Sequence, residues 1–387
     1  MDGKFLLSTA LLGCLGGTAA RAADLGSNTT LGAQIFVDFS SINQTSNGVD
    51  TGATGKGFDA KRAYLIVDHK VDDVWSANLT TDAQYSSSSG GVAEVFIKKL
   101  YLQARLNDAL VVHAGSYTTP WIGLVEPAYG LRWIDKTIMD RLGYLNTADW
   151  GLNAEGKFLD GRVSYSASIL NGAGFKNPSR SKDVDFEGRV GVNPTAWLTL
   201  GAGYLTGHLG QVTQANSSFP THAATRETLL ANVKYQGLNV SVEYFNAKNY
   251  KAYSATTGAA AAASTIVGIN ATTAPLTDEA SGVSTSASYK INAQYLVFAR
   301  YDQARPSKDI HSSLKSTYFN FGIAYKASRN ADLALVYKND KVENGLLSVS
   351  GGNAGASNAV GGTGVAPTGP VTGGKLSEIG IYAQYKF

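Results

Sequence analysis

The sequence predicts an all-β protein: a transmembrane β-barrel of sixteen antiparallel strands, with short periplasmic turns and long extracellular loops. Apolar and polar residues alternate with a period of two along many segments, as expected of strands that face lipid on one side and a polar lumen on the other. The connections alternate between tight turns and long loops rich in Gly, Ser, Ala and Thr. After residue 22, no window approaches the roughly 18 consecutive apolar residues that a membrane helix needs.

The composition supports a membrane barrel and argues against several other classes of protein. Only 16% of the 387 residues are charged, whereas the chain contains 20 tyrosines and 43 glycines. A formal net charge of +3 without any run of Lys or Arg does not predict a nucleic-acid partner. The five histidines are scattered and the single cysteine, Cys14, lies near the start. We therefore expect no metal site and no cofactor.

The first 22 residues have the features of a signal peptide. Lys4 precedes an apolar stretch at 5–15, and Ala20-Arg21-Ala22 is a small-x-small cleavage site. The predicted domains are the signal peptide at 1–22 and a barrel domain at 23–387. The segment at 11–14, Leu-Leu-Gly-Cys, offers a lipoprotein cleavage site instead, but the apolar stretch before Cys14 is short. Either cleavage implies that the chain leaves the cytoplasm.

The segment at 74–87 shows the alternation on which the barrel prediction depends. Trp75, Leu79 and Tyr85 fall on one face, whereas Asn78 and Asp82 fall on the other. Ten steps of ~3.3 Å, tilted by ~45°, cover roughly 23 Å, which matches the ~25 Å apolar band of an outer-membrane barrel. Similar patterns predict strands at 30–41, 58–70, 74–87, 94–106, 110–115, 150–158, 161–170, 184–192, 196–205, 225–235, 238–247, 283–290, 292–303, 315–326, 331–340 and 375–387.

The connections between these strands alternate in length. Tight turns such as Val71-Asp72-Asp73 and Gln236-Gly237 are separated by long segments at 42–57, 118–149, 171–183, 206–224, 249–280, 304–314 and 341–374. Short turns on one rim, long loops on the other and an even strand number are typical of outer-membrane barrels. A soluble sandwich would alternate in the same way along its strands, so it is the connections that favour the membrane barrel.

The long connection at 118–149 is expected to fold into the lumen and form a constriction. It contains Pro120 and Pro127 and shows no sustained period of 2 or 3.6, so we expect an ordered loop without helices or strands. Lumen-facing bases only slightly outnumber lumen-facing acids, which predicts at most a weak preference for anions. The residues that we expect to line the pore are Glu126, Arg132, Asp135, Lys136, Asp140 and Arg141 on the loop and Arg62, Lys99 and Arg105 on the strands.

Four stretches carry a resemblance to a known family. The final IGIYAQYKF, which ends in Tyr385 and Phe387, looks like the terminal strand that bacterial outer-membrane proteins present to the barrel-assembly machinery. KRAYLIV (61–67), FIKKLYLQARL (96–106) and HAGSYTTPWIGLVE (113–126) resemble the phosphate-selective porins. That resemblance implies a sixteen-stranded homotrimer in the outer membrane, embedded in lipid, that passes small anions through a channel lined by Arg and Lys.

These observations predict an outer-membrane porin, a passive diffusion channel for small hydrophilic solutes with at most a weak, phosphate-like anion preference. One alternative is a ligand-specific sugar or carboxylate channel, in which Tyr101, Trp121, Tyr129 and Trp133 would stack on the ligand. A non-channel barrel is a further alternative. A hydrolase would require His113 to act on the nearby Ser116, but a lone His beside a Ser in a strand is usually a polar wall residue, so we expect no enzyme.

Lys98 does not fit the predicted alternation. The pattern of its strand places Lys98 on the lipid-facing side, next to the lumen-facing Lys99. A bulge, a different register or a subunit interface would each explain this position.

Overall fold

The structure, a computed structural model, describes residues 23–24, 26, 28–50, 54–85, 93–178, 180–210, 223–250, 277–345 and 373–387. The predicted signal peptide at 1–22 lies outside these residues. Within the described part of the chain, no helix is both long enough and apolar enough to cross a membrane.

The described residues form sixteen long strands, which we number β1 to β16 in chain order. Two-residue strands at Ala23–Asp24 and Val49–Asp50 pair with β1. The long strands are β1 Thr29–Ser46, β2 Gly55–Lys70, β3 Trp75–Tyr85, β4 Ala93–Asn107, β5 Leu110–Thr118, β6 Ala148–Phe158, β7 Val163–Leu170, β8 Asp185–Thr195, β9 Leu198–Gly207, β10 Ala224–Tyr235, β11 Leu238–Lys248, β12 Glu279–Lys290, β13 Tyr295–Arg305, β14 Lys315–Lys326, β15 Ala331–Glu343 and β16 Gly373–Lys386.

Every long strand pairs with its neighbours in chain order, and all the pairings are antiparallel. The last strand also pairs with the first, with Tyr385 opposite Ile35 and Ile379 opposite Ser41. The sheet therefore closes into a barrel, which satisfies the backbone N–H and C=O groups that an open edge would leave unpaired. The predicted fold class, a closed barrel of sixteen antiparallel strands, is confirmed.

The loop between β5 and β6 contains two helices, α1 at Ile122–Tyr129 and α2 at Ile138–Leu142. Our expectation of a loop without helices was wrong. Helices of 8 and 5 residues are too short to show a 3.6-residue period in the sequence. Each ends at a glycine in the left-handed region, Gly130 with φ 75° and Gly143 with φ 70°.

The hydrophobic core of the molecule lies inside the barrel, between this loop and the inner wall. Side chains of the loop pack in two clusters against inward-facing apolar residues of β1 and of β9 to β16. One cluster joins Trp121, Ile122, Val125, Ile138, Met139, Leu142 and Tyr144 to Leu205, Leu230, Phe245 and Ala280. The other joins Tyr129, Leu131, Trp133 and Ile134 to Phe36, Phe298, Val336 and Tyr382.

Glycines in β9 make room for the loop. A Cβ at Gly203 would lie 2.9 Å from Cε3 of Trp121, and a Cβ at Gly201 would lie 2.5 Å from Cδ2 of Leu124. Both distances are too short for carbon atoms in contact, so any larger residue would push the loop away from the wall. The loop therefore occupies the side of the lumen next to β9–β16, and the open space lies beside the earlier strands.

Candidate functional site

Trp121 fixes the start of the loop inside the barrel. Its indole Nε1 donates a hydrogen bond to Oε1 of Glu243 (2.9 Å), and its backbone N–H donates to Oε1 of Glu187 (3.0 Å). Arg226 forms a salt bridge of 3.0 Å with the same Glu187 oxygen and donates to the carbonyl of Tyr144, near the end of the loop. Both ends of the loop are thus bound to the wall formed by β8, β10 and β11.

Arg141, one of the predicted pore-lining residues, attaches α2 to the wall. Its guanidinium donates to carboxylate oxygens of Asp340 on β15 (2.5 Å) and of Asp302 on β13 (3.3 Å). Only 2% of the Arg141 side chain is exposed. The structure therefore places this cation between the loop and the wall, not on the surface of the open lumen.

Asp135 lies in a similar position. It accepts a hydrogen bond from the Tyr318 hydroxyl and lies 3.4 Å from Nζ of Lys338. Burial opposes ionisation of this carboxyl, but the charges of Lys338 and Arg300 outweigh the effect and hold the pKa of Asp135 well below its usual range. Asp135 is thus an ionised partner of wall cations, and its side chain is buried.

The other predicted loop residues form a network of mostly buried charged side chains. Nε of Arg132 donates to Glu126 (2.9 Å), and Asp140 lies 3.3 Å from Arg132 and 3.7 Å from Nζ of Lys136. Burial lowers the pKa of Lys136 to about 8, although the charge of Asp140 opposes this shift. These four residues remain predicted pore-lining residues.

Two predicted strand residues also form salt bridges. Arg62 donates to Asp82 across β2 and β3 at 2.8 Å. Arg105 lies 3.5 Å from Asp108 at the rim of short turns, where both side chains are largely exposed. Arg62 lies close enough to the loop for its charge to lower the pKa of both Lys136 and Asp140. Arg62 and Arg105 remain predicted pore-lining residues.

The lysine that did not fit the alternation, Lys98, lies at a β-bulge. In the pairing of β3 with β4, Thr80 is opposite Lys99 but Thr81 is opposite Ile97, so Lys98 is an extra residue. A bulge allows two consecutive side chains to point to the same side of the sheet. Lys98 is accordingly buried inside the barrel, next to Lys99, and the lipid-facing position that the alternation predicted was wrong.

A second bulge lies between β1 and β2. Phe36 is opposite Arg62 and Val37 is opposite Ala60, so Lys61 is the extra residue. Nζ of Lys61 lies 3.4 Å from Glu378 inside the barrel. The two basic dipeptides, Lys61-Arg62 and Lys98-Lys99, therefore occupy equivalent irregularities on neighbouring parts of the wall.

Two chambers lie between the loop and the earlier strands. The first, which we call the basic chamber, has a volume of about 620 Å³. The second, the turn-side chamber, has a volume of about 1100 Å³ and reaches the rim of short turns. Both are lined by Thr118 and Gly123, so they adjoin at the start of α1. A Cβ built on Gly123 would meet no atom within 4 Å.

The charges of the two chambers differ. Four bases and two acids line the basic chamber: Lys98, Lys99, Arg132 and Lys386 with Asp68 and Glu126. Three bases and three acids line the turn-side chamber: Arg105, Lys157 and Arg189 with Asp108, Glu155 and Asp160. Of the two chambers, the one with the smaller volume therefore carries the excess of positive charge.

A second loop adds a cation that the sequence analysis did not single out. Phe175, in the connection between β7 and β8, stacks on Phe96 with ring centroids 5.8 Å apart. Nζ of Lys176 lies 4.4 Å from the centroid of Phe96. Nζ of Lys98 lies 5.9 Å from the Phe175 ring, so the two lysines share one aromatic pair. A Gly- and Asn-rich loop carries no sequence signal for such a contact.

Most side chains proposed for the alternative functions are buried against the wall or hydrogen-bonded to other groups. Trp121, Tyr129 and Trp133 are buried against the wall, so little of their rings is available for stacking on a sugar. His113 contacts Gln103 and Asn153, and Ser116 donates to the carbonyl of Lys98. Among the described residues, no group of His, Cys, Asp or Glu has an arrangement that could hold a metal ion.

No family model matches this sequence, and no curated protein matches it. Solved structures do match over most of the chain. The anion-selective porin from Comamonas acidovorans is 11% identical, with a TM-score of 0.62 over 93% of this chain and 99% of that chain. The chain has the porin fold. The outer membrane channel DcaP of Acinetobacter baumannii is 12% identical, with a TM-score of 0.59 over 95% of this chain and 100% of that chain. OmpF of Salmonella typhi, in complex with daunomycin, is 10% identical, with a TM-score of 0.61 over 93% of this chain and 98% of that chain.

Proposed function

We propose that this protein is an outer-membrane porin, a passive diffusion channel for small hydrophilic solutes that prefers anions. The observation that carries the proposal is the pair of neighbouring lysines, Lys98 and Lys99, which a bulge directs into the basic chamber. Within the described part of the chain, neither lysine has a carboxylate within salt-bridge distance. Their charges are therefore available to a permeating anion.

The position of these charges supports an anion preference more than their number does. A unit pair at ~4 Å is worth roughly 4 kcal/mol at an effective dielectric constant of ~20, but only about 1 kcal/mol in bulk water. The basic chamber has a volume of about 620 Å³ against about 1100 Å³ for the turn-side chamber, so its excess of bases is concentrated around a solute. This supports a stronger preference than the near balance of charges along the whole lumen.

The resemblance to phosphate-selective porins is consistent with this geometry. The basic dipeptides of KRAYLIV and FIKKLYLQARL are the residues at the two bulges, 61–62 and 98–99. Phosphate is therefore one anion that we propose the channel passes.

We further propose that residues 1–22 are removed as a signal peptide and that residues 118–149 form the constriction. Tyr385 and Phe387 would engage the barrel-assembly machinery, and the barrel would assemble as a homotrimer in outer-membrane lipid.

The alternatives receive less support. A sugar channel would need accessible aromatic faces, and three of its four proposed residues are buried against the wall. A hydrolase would need His113 and Ser116 to contact each other, whereas each hydrogen-bonds to other groups. A non-channel barrel is disfavoured by the two chambers beside the loop. We therefore propose no enzymatic activity and no cofactor.

Conductance in a planar lipid bilayer tests this proposal. Purified protein should form channels whose reversal potential in a KCl gradient shows that chloride crosses more readily than potassium. The double substitution Lys98→Glu, Lys99→Glu should shift the reversal potential toward cation selectivity. Arg162→Glu, at an exposed site near the short turns, should leave it nearly unchanged and serves as the control. Protein without conductance, or a double variant that matches the control, would refute the proposal.

A further inference from the structure

The lining of the basic chamber is not only basic. Its walls combine the bases with partly exposed side chains that carry apolar groups, namely Tyr64, Ile66, Tyr101 and Pro127. A volume of about 620 Å³ lies within the usual range for pockets that enclose small organic ligands. A small inorganic anion would gain nothing from this apolar surface, because such ions are strongly hydrated.

Both acids of the chamber already accept hydrogen bonds from neighbouring side chains. Asp68 accepts a hydrogen bond from Asn78 (2.7 Å), and Glu126 accepts one from Arg132 (2.9 Å). Nζ of Lys98 instead has a neutral partner, the hydroxyl of Tyr64 at 2.8 Å. An ammonium group whose hydrogen-bond partner is a neutral hydroxyl gains from an incoming anion, because a hydrogen bond to an ionised acceptor is stronger.

Tyr101 offers a fixed aromatic surface next to these lysines. It is partly exposed, and it follows Lys99 by two positions on β4, so the two side chains lie on the same face of the sheet. Its ring contacts Tyr117 edge to face with centroids 4.8 Å apart, and Tyr117 in turn donates to Glu155 (3.0 Å). These contacts hold the ring of Tyr101 in one orientation at the junction of the two chambers.

We propose that the basic chamber is a binding site for aromatic carboxylates, compounds that carry one carboxylate directly on an aromatic ring. This inference rests on the proposed channel function and specifies the solute class. The carboxylate would pair with Lys98 and Lys99, and the ring would stack against Tyr101. An aliphatic acid of similar charge would use the lysines but would lack the π-face that Tyr101 contacts.

Block of the chloride current by organic acids tests the inference. Benzoate, cyclohexanecarboxylate and acetate are added in turn to one side of a bilayer that contains the unmodified protein in KCl. Benzoate should halve the chloride current at a concentration about tenfold lower than acetate does. Cyclohexanecarboxylate, which has an apolar ring without a π-face, should need about threefold more than benzoate. Equal potency of benzoate and cyclohexanecarboxylate would overturn the assignment to aromatic acids.

Variants separate this site from general electrostatics. Tyr101→Leu should weaken block by benzoate about threefold to tenfold and leave block by acetate unchanged, whereas Tyr101→Phe should retain block by benzoate. Tyr235→Leu, at an exposed position outside both chambers, is the matched control. Loss of benzoate block in Tyr101→Phe, or its retention in Tyr101→Leu, would overturn the proposed stacking. Protein that conducts no chloride refutes the channel itself, while a conducting protein that does not distinguish benzoate from acetate refutes only this inference.

Discussion

The indole of Trp121 donates a hydrogen bond of 2.9 Å to the carboxylate of Glu243, a residue 122 positions further along the chain. Trp121 lies just after β5, whereas Glu243 lies in the middle of β11. The loop therefore reaches across the inside of the barrel to contact β11. It positions α1 so that its apolar side faces the wall of later strands and Gly123 faces the open space. Contacts of this kind between the loop and the wall determine which part of the lumen stays open.

The anchoring of the loop predicts a large loss of stability when Arg141 is replaced. Arg141→Met would leave Asp302 and Asp340 buried without this cationic partner, at a cost of about 3–5 kcal/mol. The variant should convert from its compact to its unfolded gel mobility at a clearly lower temperature than the unmodified barrel. Arg105→Met is the control, because its exposed pair with Asp108 is worth about 0–1 kcal/mol. Equal midpoint temperatures of unfolding for the two variants would contradict the anchoring role of Arg141.

The open space at Gly123 predicts a site where the channel can be narrowed from the loop. Gly123→Cys should fold normally, because its Cβ would meet no atom within 4 Å. A bulky thiol reagent should then reduce single-channel conductance, and a negatively charged reagent should also reduce anion preference. Gly57→Cys, exposed near one end of β2, is the control and should react without changing conductance. If the reagent leaves conductance unchanged in Gly123→Cys, the current passes elsewhere.

The lowered pKa of Lys136 predicts that selectivity depends on pH. Burial, reinforced by the charges of Arg62 and Arg132, lowers this pKa to about 8, so the charge is present at lower pH and is lost as the pH rises through that value. Anion preference, measured as reversal potential, should therefore decline between about pH 7 and pH 9. Lys136→Arg keeps its charge over this range and should give a flatter profile than the unmodified protein. A profile as steep in that variant as in the unmodified protein would assign the titration to another group.

The closure of the barrel predicts specific cross-links between its two ends. Val37 and Ala383 are directly opposite in the pairing of β1 with β16. The double substitution Val37→Cys, Ala383→Cys should form an intramolecular disulfide that changes gel mobility under non-reducing conditions. Val37→Cys combined with Ile381→Cys, two residues out of register, should cross-link much less. A higher disulfide yield from the second pair than from the first would indicate a different register between β1 and β16.

The strands could be predicted from the sequence because their signals are local. Alternation with a period of two depends only on neighbouring residues. Turn residues such as Asp72 also act locally, because its carboxylate accepts hydrogen bonds from the N–H groups of Val74 and Trp75. Lys98 shows where this approach fails, since a bulge interrupts the period and reverses the side to which a residue points. Two adjacent bases in an otherwise alternating strand were the available signal.

The roles of charged residues could not be predicted because they depend on distant parts of the chain. Arg141 and Asp340 are 199 positions apart. No residue near Arg141 in the sequence indicates that it forms a salt bridge with the barrel wall. Arg132 and Lys136 belong to the same loop but pair with Glu126 and Asp140 of the loop itself. The loop's charges were equivalent in the sequence, and only the packing of α1 and α2 separates those that anchor the loop to the wall from those that pair within the loop.

The packing of Leu131, Trp133 and Ile134 has a consequence for the closure of the barrel. Their cluster includes Phe36 on β1 and Tyr382 on β16, so the loop contacts both strands that meet when the barrel closes. Separating β1 from β16 would therefore also expose apolar side chains of the loop to water. The loop inside the lumen thus helps to hold the first and last strands together.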